Sequence, residues 1–152
     1  MNKNKIQLEI CKALLKGCIN VSGCELGDEK YAITPDGFRV FIFKNDELII
    51  NLGKVKHSDI SAYLIEDPRD VEIAATDRCL LMGDDLIAEY CGEGLEIYIN
   101  AAFAKSFEGC VFLGYSPTQR VLVKDKSGDV LGMIIPVRDA GIRMEKKNAL
   151  GE

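Results

Sequence analysis

One stretch, residues 92–138, restricts the fold more than any other part of the chain, because its pattern changes from strand to helix and back to strand. Apolar and polar residues alternate over 95–99, which predicts a strand. Asn100 is a favourable N-cap, and residues 101–107 then favour a short helix that Gly109 can end.

Three short strands are predicted after this helix, at 111–115, 120–124 and 130–135. Ser-Pro and Lys-Ser-Gly-Asp segments between them supply residues that favour turns. Pro136 ends the last strand, because proline has no N–H to donate to a neighbouring strand.

The N-terminal half contains the strongest helix candidate, residues 5–17, whose apolar residues recur at helical spacing. The following segment, 18–28, contains Gly, Ser and Asn and is predicted to be a loop. Alternating or β-branched segments separated by turn residues then predict strands at 31–34, 38–43, 48–52, 71–75, 78–82 and 85–90.

The ends of the two predicted helices resemble each other, as the first continues into Lys-Gly-Cys-Ile at 16–19 and the second into Glu-Gly-Cys-Val at 108–111. Two half-domains, each a helix followed by antiparallel strands, would explain this repeat. We therefore predict an α+β fold in which two helices pack on antiparallel sheets from two similar half-domains.

Three segments together resemble the bacterial sliding clamp, the beta subunit of DNA polymerase III, and most closely its C-terminal domain. GEGLEIYIN at 92–100 is similar to the strand that enters a clamp helix. SPTQRVLVKD at 116–125 is similar to the clamp's Ser/Pro-rich turn and following strand, and GMIIPVR at 132–138 to its terminal Val-Met-Pro-Met-Arg segment. The resemblance implies a single clamp-like domain at 1–138, with 54–82 partly an insertion and 139–152 a flexible tail.

The resemblance also implies a role for the polar side of the helices, since clamp helices line the central hole and meet the DNA backbone. It assigns phosphate contacts to Lys5, Lys12, Lys16 and Lys105. Glu9 lies among the first three lysines and weakens this assignment. The alternative is that these lysines form an ordinary solvated helix face.

A partner site follows from the same resemblance, because clamps bind short peptides of replication proteins in a hydrophobic cleft. The terminal segment forms one wall, which implicates Met133, Ile134, Pro136, Val137 and Arg138. The alternative is that this segment is an ordinary buried edge strand.

The other wall of the clamp cleft is an Ala-Thr-Asp segment, to which AATDRCLLM at 74–82 is similar. Thr76 and Leu81 are the partner-contacting candidates there. Arg78 and Leu80 depart from the family pattern, which weakens the assignment.

Clamp rings contain six such domains, whereas this chain of 152 residues has the length of one. One hypothesis is a DNA-associated, sequence-independent binding protein that forms a homo-oligomeric ring through free sheet edges and tethers partner proteins in DNA replication. Residues 54–70 would cover such an edge in the alternative case. The second hypothesis is a single clamp-fold protein-interaction module, of phage or mobile-element origin, that does not bind DNA.

The remaining features argue against other classes. No GxGxxG, P-loop, GxSxG or HExxH motif occurs, so we expect no enzyme activity and no cofactor. The six cysteines form no CxxC pair and His57 is the only histidine, so we expect reduced thiols and no metal site. No apolar run reaches membrane-spanning length and charges interrupt the N-terminus, so we expect a cytoplasmic protein without a membrane partner.

Overall fold

The structure is a computed structural model, and it describes residues 1–18 and 20–143. Its helices are α1 (Lys3–Leu15) and α2 (Ala101–Lys105), and short 3-10 turns occupy Asn45–Glu47, Leu52–Lys54 and Ser61–Leu64. The strands are β1 (Ser22–Leu26), β2 (Lys30–Thr34), β3 (Arg39–Lys44), β4 (Lys56–His57), β5 (Val71–Met82), β6 (Asp85–Gly92), β7 (Leu95–Asn100), β8 (Val111–Gly114), β9 (Val121–Lys124) and β10 (Val130–Ile134).

The ten strands of the described residues belong to one sheet in the order β4-β1-β2-β3-β10-β9-β8-β5-β6-β7. Neighbouring strands are antiparallel except for the two-residue strand β4, which runs parallel to β1. The predicted α+β class is therefore confirmed. Separate antiparallel sheets were expected, whereas the strands form one sheet. This sheet is mixed because residues 56–57 pair parallel to β1.

The two halves of the chain repeat one arrangement. α1 is followed by the antiparallel strands β1, β2 and β3, and α2 by the antiparallel strands β8, β9 and β10. The last strands of the two sets, β3 and β10, pair antiparallel in the middle of the sheet. Gly17 adopts a φ of 70° directly after Lys16, the C-cap of α1, as expected at a helix C-terminus. Gly109, with a φ of 80°, ends the turn that follows α2, whose C-cap is Ser106 rather than the predicted Gly109.

Both faces of the central strands are covered, and alternate residues of β3 show this. Phe41 and Phe43 belong to the main core with Ile6 and Ile10 of α1, and Phe41 stacks on Phe107 with ring centroids 4.9 Å apart. Val40 and Ile42 face the other way, into a smaller cluster closed by Ile60 and Leu64 of the segment after β4. The helices therefore form a single layer on one face of the sheet.

The hairpin of β5 and β6, with β7, folds back over the core. A Cβ atom on Gly114 of β8 would lie 2.6 Å from Ile97 Cδ1 of β7, so β7 packs closely against β8 at this glycine. Tyr90, Ile97 and Ile99 consequently join the main core beneath the helix layer. On the opposite side, Ile87 and Tyr98 pack with Ala140.

Three segments differ from the sequence prediction. Residues 22–26, predicted as a loop, form β1. Residues 48–52, predicted as a strand, include the start of a 3-10 turn and pair with no other strand in the described part of the chain. The two strands predicted at 71–82 are one strand, β5, whose pairing with β6 shifts register between Ala75 and Cys79.

Some hydrogen-bonding positions at the two ends of the sheet are occupied by other parts of the chain. Strand β4 covers β1, and Ser58 N donates to Gly23 O at 2.9 Å. At the other end, Val137 N donates to Tyr98 O of β7 at 2.8 Å. The proposed ring joints at free edges are therefore occupied at these positions, as the alternative role of residues 54–70 anticipated.

Within the region expected to be partly an insertion, 54–82, strand β5 is an integral part of the sheet, between β8 and β6. Of the expected tail, 139–152, residues 144–152 lie outside the described residues. In its described part, Ala140 is buried.

Candidate nucleic-acid interface

The first helix presents a basic outer face because its buried side is fixed. Asn2 caps α1 by accepting a hydrogen bond from Lys5 N at 3.1 Å. Gln7 is buried, donates from Nε2 to Glu47 O at 2.9 Å and accepts from Ile49 N at 2.8 Å through Oε1. These two hydrogen bonds attach α1 to the 45–49 segment and fix the rotation of the helix about its own axis. Lys5, Lys12 and Lys16 are therefore exposed on the outer side.

The second helix adds Lys105 to the same surface. A groove of about 540 Å³ lies between the two helices, and Lys5 and Lys105 line it from opposite sides. Lys12 and Lys16 lie farther along α1 and do not line the groove. The structure thus places all four predicted phosphate-contacting lysines on the helix layer, with two of them facing each other across the groove.

Arg39 lies in this groove and was not predicted from the sequence. Its side chain is only 11% exposed and donates to Ser106 Oγ of the segment after α2 at 2.9 Å and to Asp36 Oδ2 from Nε at 3.0 Å. The guanidinium carbon lies 4.6 Å from the centre of the Phe103 ring, a cation–π contact. It also reaches Glu9 at 3.4 Å, so Arg39 ties α1, α2 and β3 together.

The lysines of the helix layer carry charge that no ion pair among the described residues neutralises. Within the described residues, Lys5, Lys12, Lys16 and Lys105 form no ion pair. Glu9, the acidic residue among them, is paired with Arg39. Four unpaired ammonium groups therefore lie on one face of a protein whose formal net charge is -5.

The predicted partner-binding residues do not form one surface. Met133 and Ile134 are buried, the first beneath Ile60 and Leu64 and the second in the main core. In the folded chain these two side chains are not accessible to a partner. The reason is that β10 is a central strand between β3 and β9, covered on both faces.

The rest of the predicted wall lies after β10. Pro136 is buried, Val137 is half-buried and Arg138 is exposed. Val137 and Arg138 line a shallow cleft of about 360 Å³ together with Tyr98. Val137 and Arg138 are therefore the accessible residues of the predicted wall.

Thr76 and Leu81, the two residues of the other predicted wall, do not line this cleft. Thr76 donates from its hydroxyl to Glu89 at 3.1 Å, whereas Leu81 is 68% exposed near the tip of the β5–β6 hairpin. Glu89 is itself buried and also accepts from the Tyr98 hydroxyl at 3.0 Å. Burial, together with this acidic neighbour, raises the pKa of Tyr98 above its ordinary value. Thr76 therefore has a structural partner, and Leu81 has a free surface.

Residues that could carry other chemistry are dispersed. The six cysteines are free thiols, and no group of three or more His, Cys, Asp or Glu side chains within residues 1–18 and 20–143 could hold a metal ion. His57 is exposed on β4 and lines a cavity of about 560 Å³ with Cys24 and Asp59. The described residues therefore offer the helix layer as the strongest candidate site.

No protein-family model, no curated protein and no solved structure matches this chain. Among the described residues, no helix has the length and apolar character that crossing a membrane requires.

Proposed function

We propose that this protein is a sliding-clamp-like module that contacts duplex DNA through its phosphates and tethers partner proteins. The observation that carries the proposal is the set of four unpaired lysines on the helix layer of an acidic chain. Lysine ammonium groups attract phosphates as point charges and do not read bases. Binding of this kind is independent of DNA sequence and involves no chemical step on the DNA.

The repeated architecture supports the clamp-like part of the proposal. Clamp domains are built by duplication of a helix-and-strands unit, and here α1 with β1–β3 repeats as α2 with β8–β10. Both helices lie on the same face of the sheet and border a common groove. A duplex lying along this layer would meet lysines from both halves of the repeat.

A partner-tethering role would use the cleft near Val137 and Arg138, since Met133 and Ile134 are buried. A replication protein would dock there through a short extended peptide. The exposed Arg138 would pair with an acidic residue of that peptide, and Val137 would contact an apolar one.

The second candidate is a protein-interaction module without DNA binding. It is favoured by Leu8 and Leu15, which are 53% and 81% exposed on the same helix that carries the lysines. Exposed leucines contribute little to phosphate contact, whereas they are common where a protein surface docks on another.

The test is binding to a fluorescent DNA duplex of random sequence at low salt, measured by anisotropy. The variant Lys5→Gln/Lys12→Gln/Lys16→Gln should lose most of its affinity, to the same degree for every duplex sequence. The control variant Lys54→Gln/Lys56→Gln/Lys126→Gln removes the same charge from exposed lysines elsewhere and should retain binding.

Equal losses in the two variants would show that only net charge matters and would reject the helix layer as the site. Absence of wild-type binding at low salt would leave the protein-interaction module as the function.

A further inference from the structure

The tip of the β5–β6 hairpin combines exposed apolar side chains with acidic ones. Leu81 and Leu86 lie directly opposite each other on the paired strands and are 68% and 48% exposed. Asp84 and Asp85 follow the turn at Gly83 and are exposed. We call residues 81–86 the acidic hairpin tip.

The pleat of the strands explains why these two leucines are not covered. Leu80 and Met82 pack around Ile87 and Tyr98 on one face of the hairpin. Side chains alternate along a strand, so Leu81 points to the other face. On that face Leu86 follows Tyr90 and Ala88, whose side chains pack in the main core. Leu86 itself lies beyond the end of that core and is therefore exposed.

The outer side of α1 has the opposite charge and the same apolar character. Leu8 and Leu15 are exposed, and Lys5, Lys12 and Lys16 flank them. Leu8 and Leu15 are seven residues apart, which is two helical turns, so both project from one side of the helix. We call this surface the leucine face of α1.

The two surfaces match in dimensions as well as in charge. Leu8 and Leu15 are about 10.5 Å apart along the helix axis, given a rise of about 1.5 Å per residue. Directly opposed side chains of antiparallel strands are about 5 Å apart, so Leu81 and Leu86 can occupy the space between the two helix leucines when the line that joins them lies across the helix axis. In that position Asp84, which lies in the turn, comes within reach of the lysines on α1, and Asp85, on the face opposite Leu86, adds to the negative charge of the tip.

We infer that the acidic hairpin tip of one copy docks on the leucine face of α1 of a second copy. Burial of the four leucines drives the association, and the aspartate–lysine pairs select the orientation. The contact joins two different surfaces of the same chain and occupies the lysines proposed to meet DNA. It does not depend on DNA binding, because its evidence is the exposed leucines and the opposite charges.

The test uses two charge-reversal variants and light scattering coupled to size-exclusion chromatography at low salt. One variant is Lys12→Glu/Lys16→Glu, and the other is Asp84→Lys/Asp85→Lys. Wild type should elute with a mass above the 16.8 kDa of a single chain at high protein concentration, and each variant alone should elute as a monomer. Circular dichroism verifies that both variants are folded.

Mixing the two variants in equal amounts is the decisive step. Every contact between unlike variants then joins opposite charges again, since one pair is wild type and the other is fully reversed. The mixture should therefore recover the wild-type mass, while neither variant does so alone. The control Lys54→Glu/Lys56→Glu changes the charge by the same amount away from α1 and should retain the wild-type mass.

Three results would overturn the inference: a wild-type monomer at every concentration, variants that keep the wild-type mass, or a mixture that stays monomeric. Loss of DNA binding in the variants does not bear on it, because the measurement contains no DNA. Binding of the wild-type protein to vesicles of anionic lipid, with monomeric protein throughout, would overturn the inference and assign the leucine face to a membrane surface.

Discussion

The ion pair between Arg120 and Asp70 is the most deeply buried one among the described residues, and its removal should be costly. Their side chains are only 7% and 1% exposed, and two nitrogens of Arg120 donate to the two carboxylate oxygens at 2.8 and 2.9 Å. Arg120 also donates to Ile65 O at 2.7 Å, so this one side chain holds the 65–70 segment against β9.

Asp70→Asn keeps an acceptor for the Asp67 N–H, which lies 2.7 Å from Oδ2, but leaves the guanidinium without its counter-charge. Breaking one partner of a buried pair typically costs about 3–5 kcal/mol. For a domain of this size, about 2–4 °C of Tm is lost per kcal/mol, which predicts a decrease of about 6–20 °C. Arg120→Met should cause a decrease of similar size, because it leaves the Asp70 carboxylate buried and unpaired.

The double variant Asp70→Asn/Arg120→Met provides the test through a double-mutant cycle measured by urea unfolding. Because the second substitution removes a charge that is already unpaired, the double variant should be less destabilised than the sum of the single variants. Arg69→Gln is the matched control, since Arg69 pairs with Asp67 at the surface and its loss should hardly change stability. Additive losses, or losses no larger than that of the control, would refute the account of how 65–70 is held.

Two further predictions concern the backbone and pH. Gly132→Ala should lower Tm far more than Gly53→Ala. A Cβ atom on Gly132 would lie 1.9 Å from the backbone oxygen of Val40, whereas a Cβ atom on Gly53 would meet only a side-chain oxygen at 3.2 Å. Comparable Tm values for the two variants would contradict this packing. Hydrogen bonds from Arg69 lower the pKa of Asp67 to about 2, so the contribution of this surface pair to stability, which is small because solvent screens it, is present above the ordinary pKa of Asp67 and is lost as pH falls toward 2. Carboxyl NMR titration should show that low midpoint in wild type and a higher one in Arg69→Gln, and an unchanged midpoint would exclude Arg69 as the cause.

Patterns that depend on neighbouring residues allowed most of the fold to be predicted. The spacing of apolar residues located α1, and the alternation over 95–99 with the Asn100 cap located β7 and α2. Asn100 Oδ1 accepts from Ala102 N at 3.0 Å, as the capping prediction requires.

The errors arose where distant residues decide the local structure. Strand β1 contains Gly23, which looks like a loop residue, but a Cβ atom there would lie 2.3 Å from Ala32 O of the paired strand. Residues 48–52 are apolar enough for a strand, but Gln7 of α1 provides the hydrogen-bond partner of Ile49 N. Neither contact can be inferred from local sequence.

In the candidate site, too, local sequence predicted some residues, whereas the positions of others depend on distant contacts. Helical spacing alone placed Lys5, Lys12 and Lys16 on one side of α1. Arg39 could not be predicted, because its partner Ser106 is 67 residues away along the chain. Met133 was assigned to the surface from local resemblance, whereas the pairing of β10 between β3 and β9 buries it.

The salt dependence of duplex binding tests the proposed function most directly, because it counts the phosphates that the protein neutralises. Each neutralised phosphate contributes about -0.9 to the slope of log K against log salt concentration, so the four lysines of the helix layer predict a slope of about -3.6. The variant Lys5→Gln/Lys12→Gln/Lys16→Gln should reduce the slope to about -0.9. A slope near zero in wild type, or the same slope in wild type and variant, would contradict phosphate contact by the helix layer.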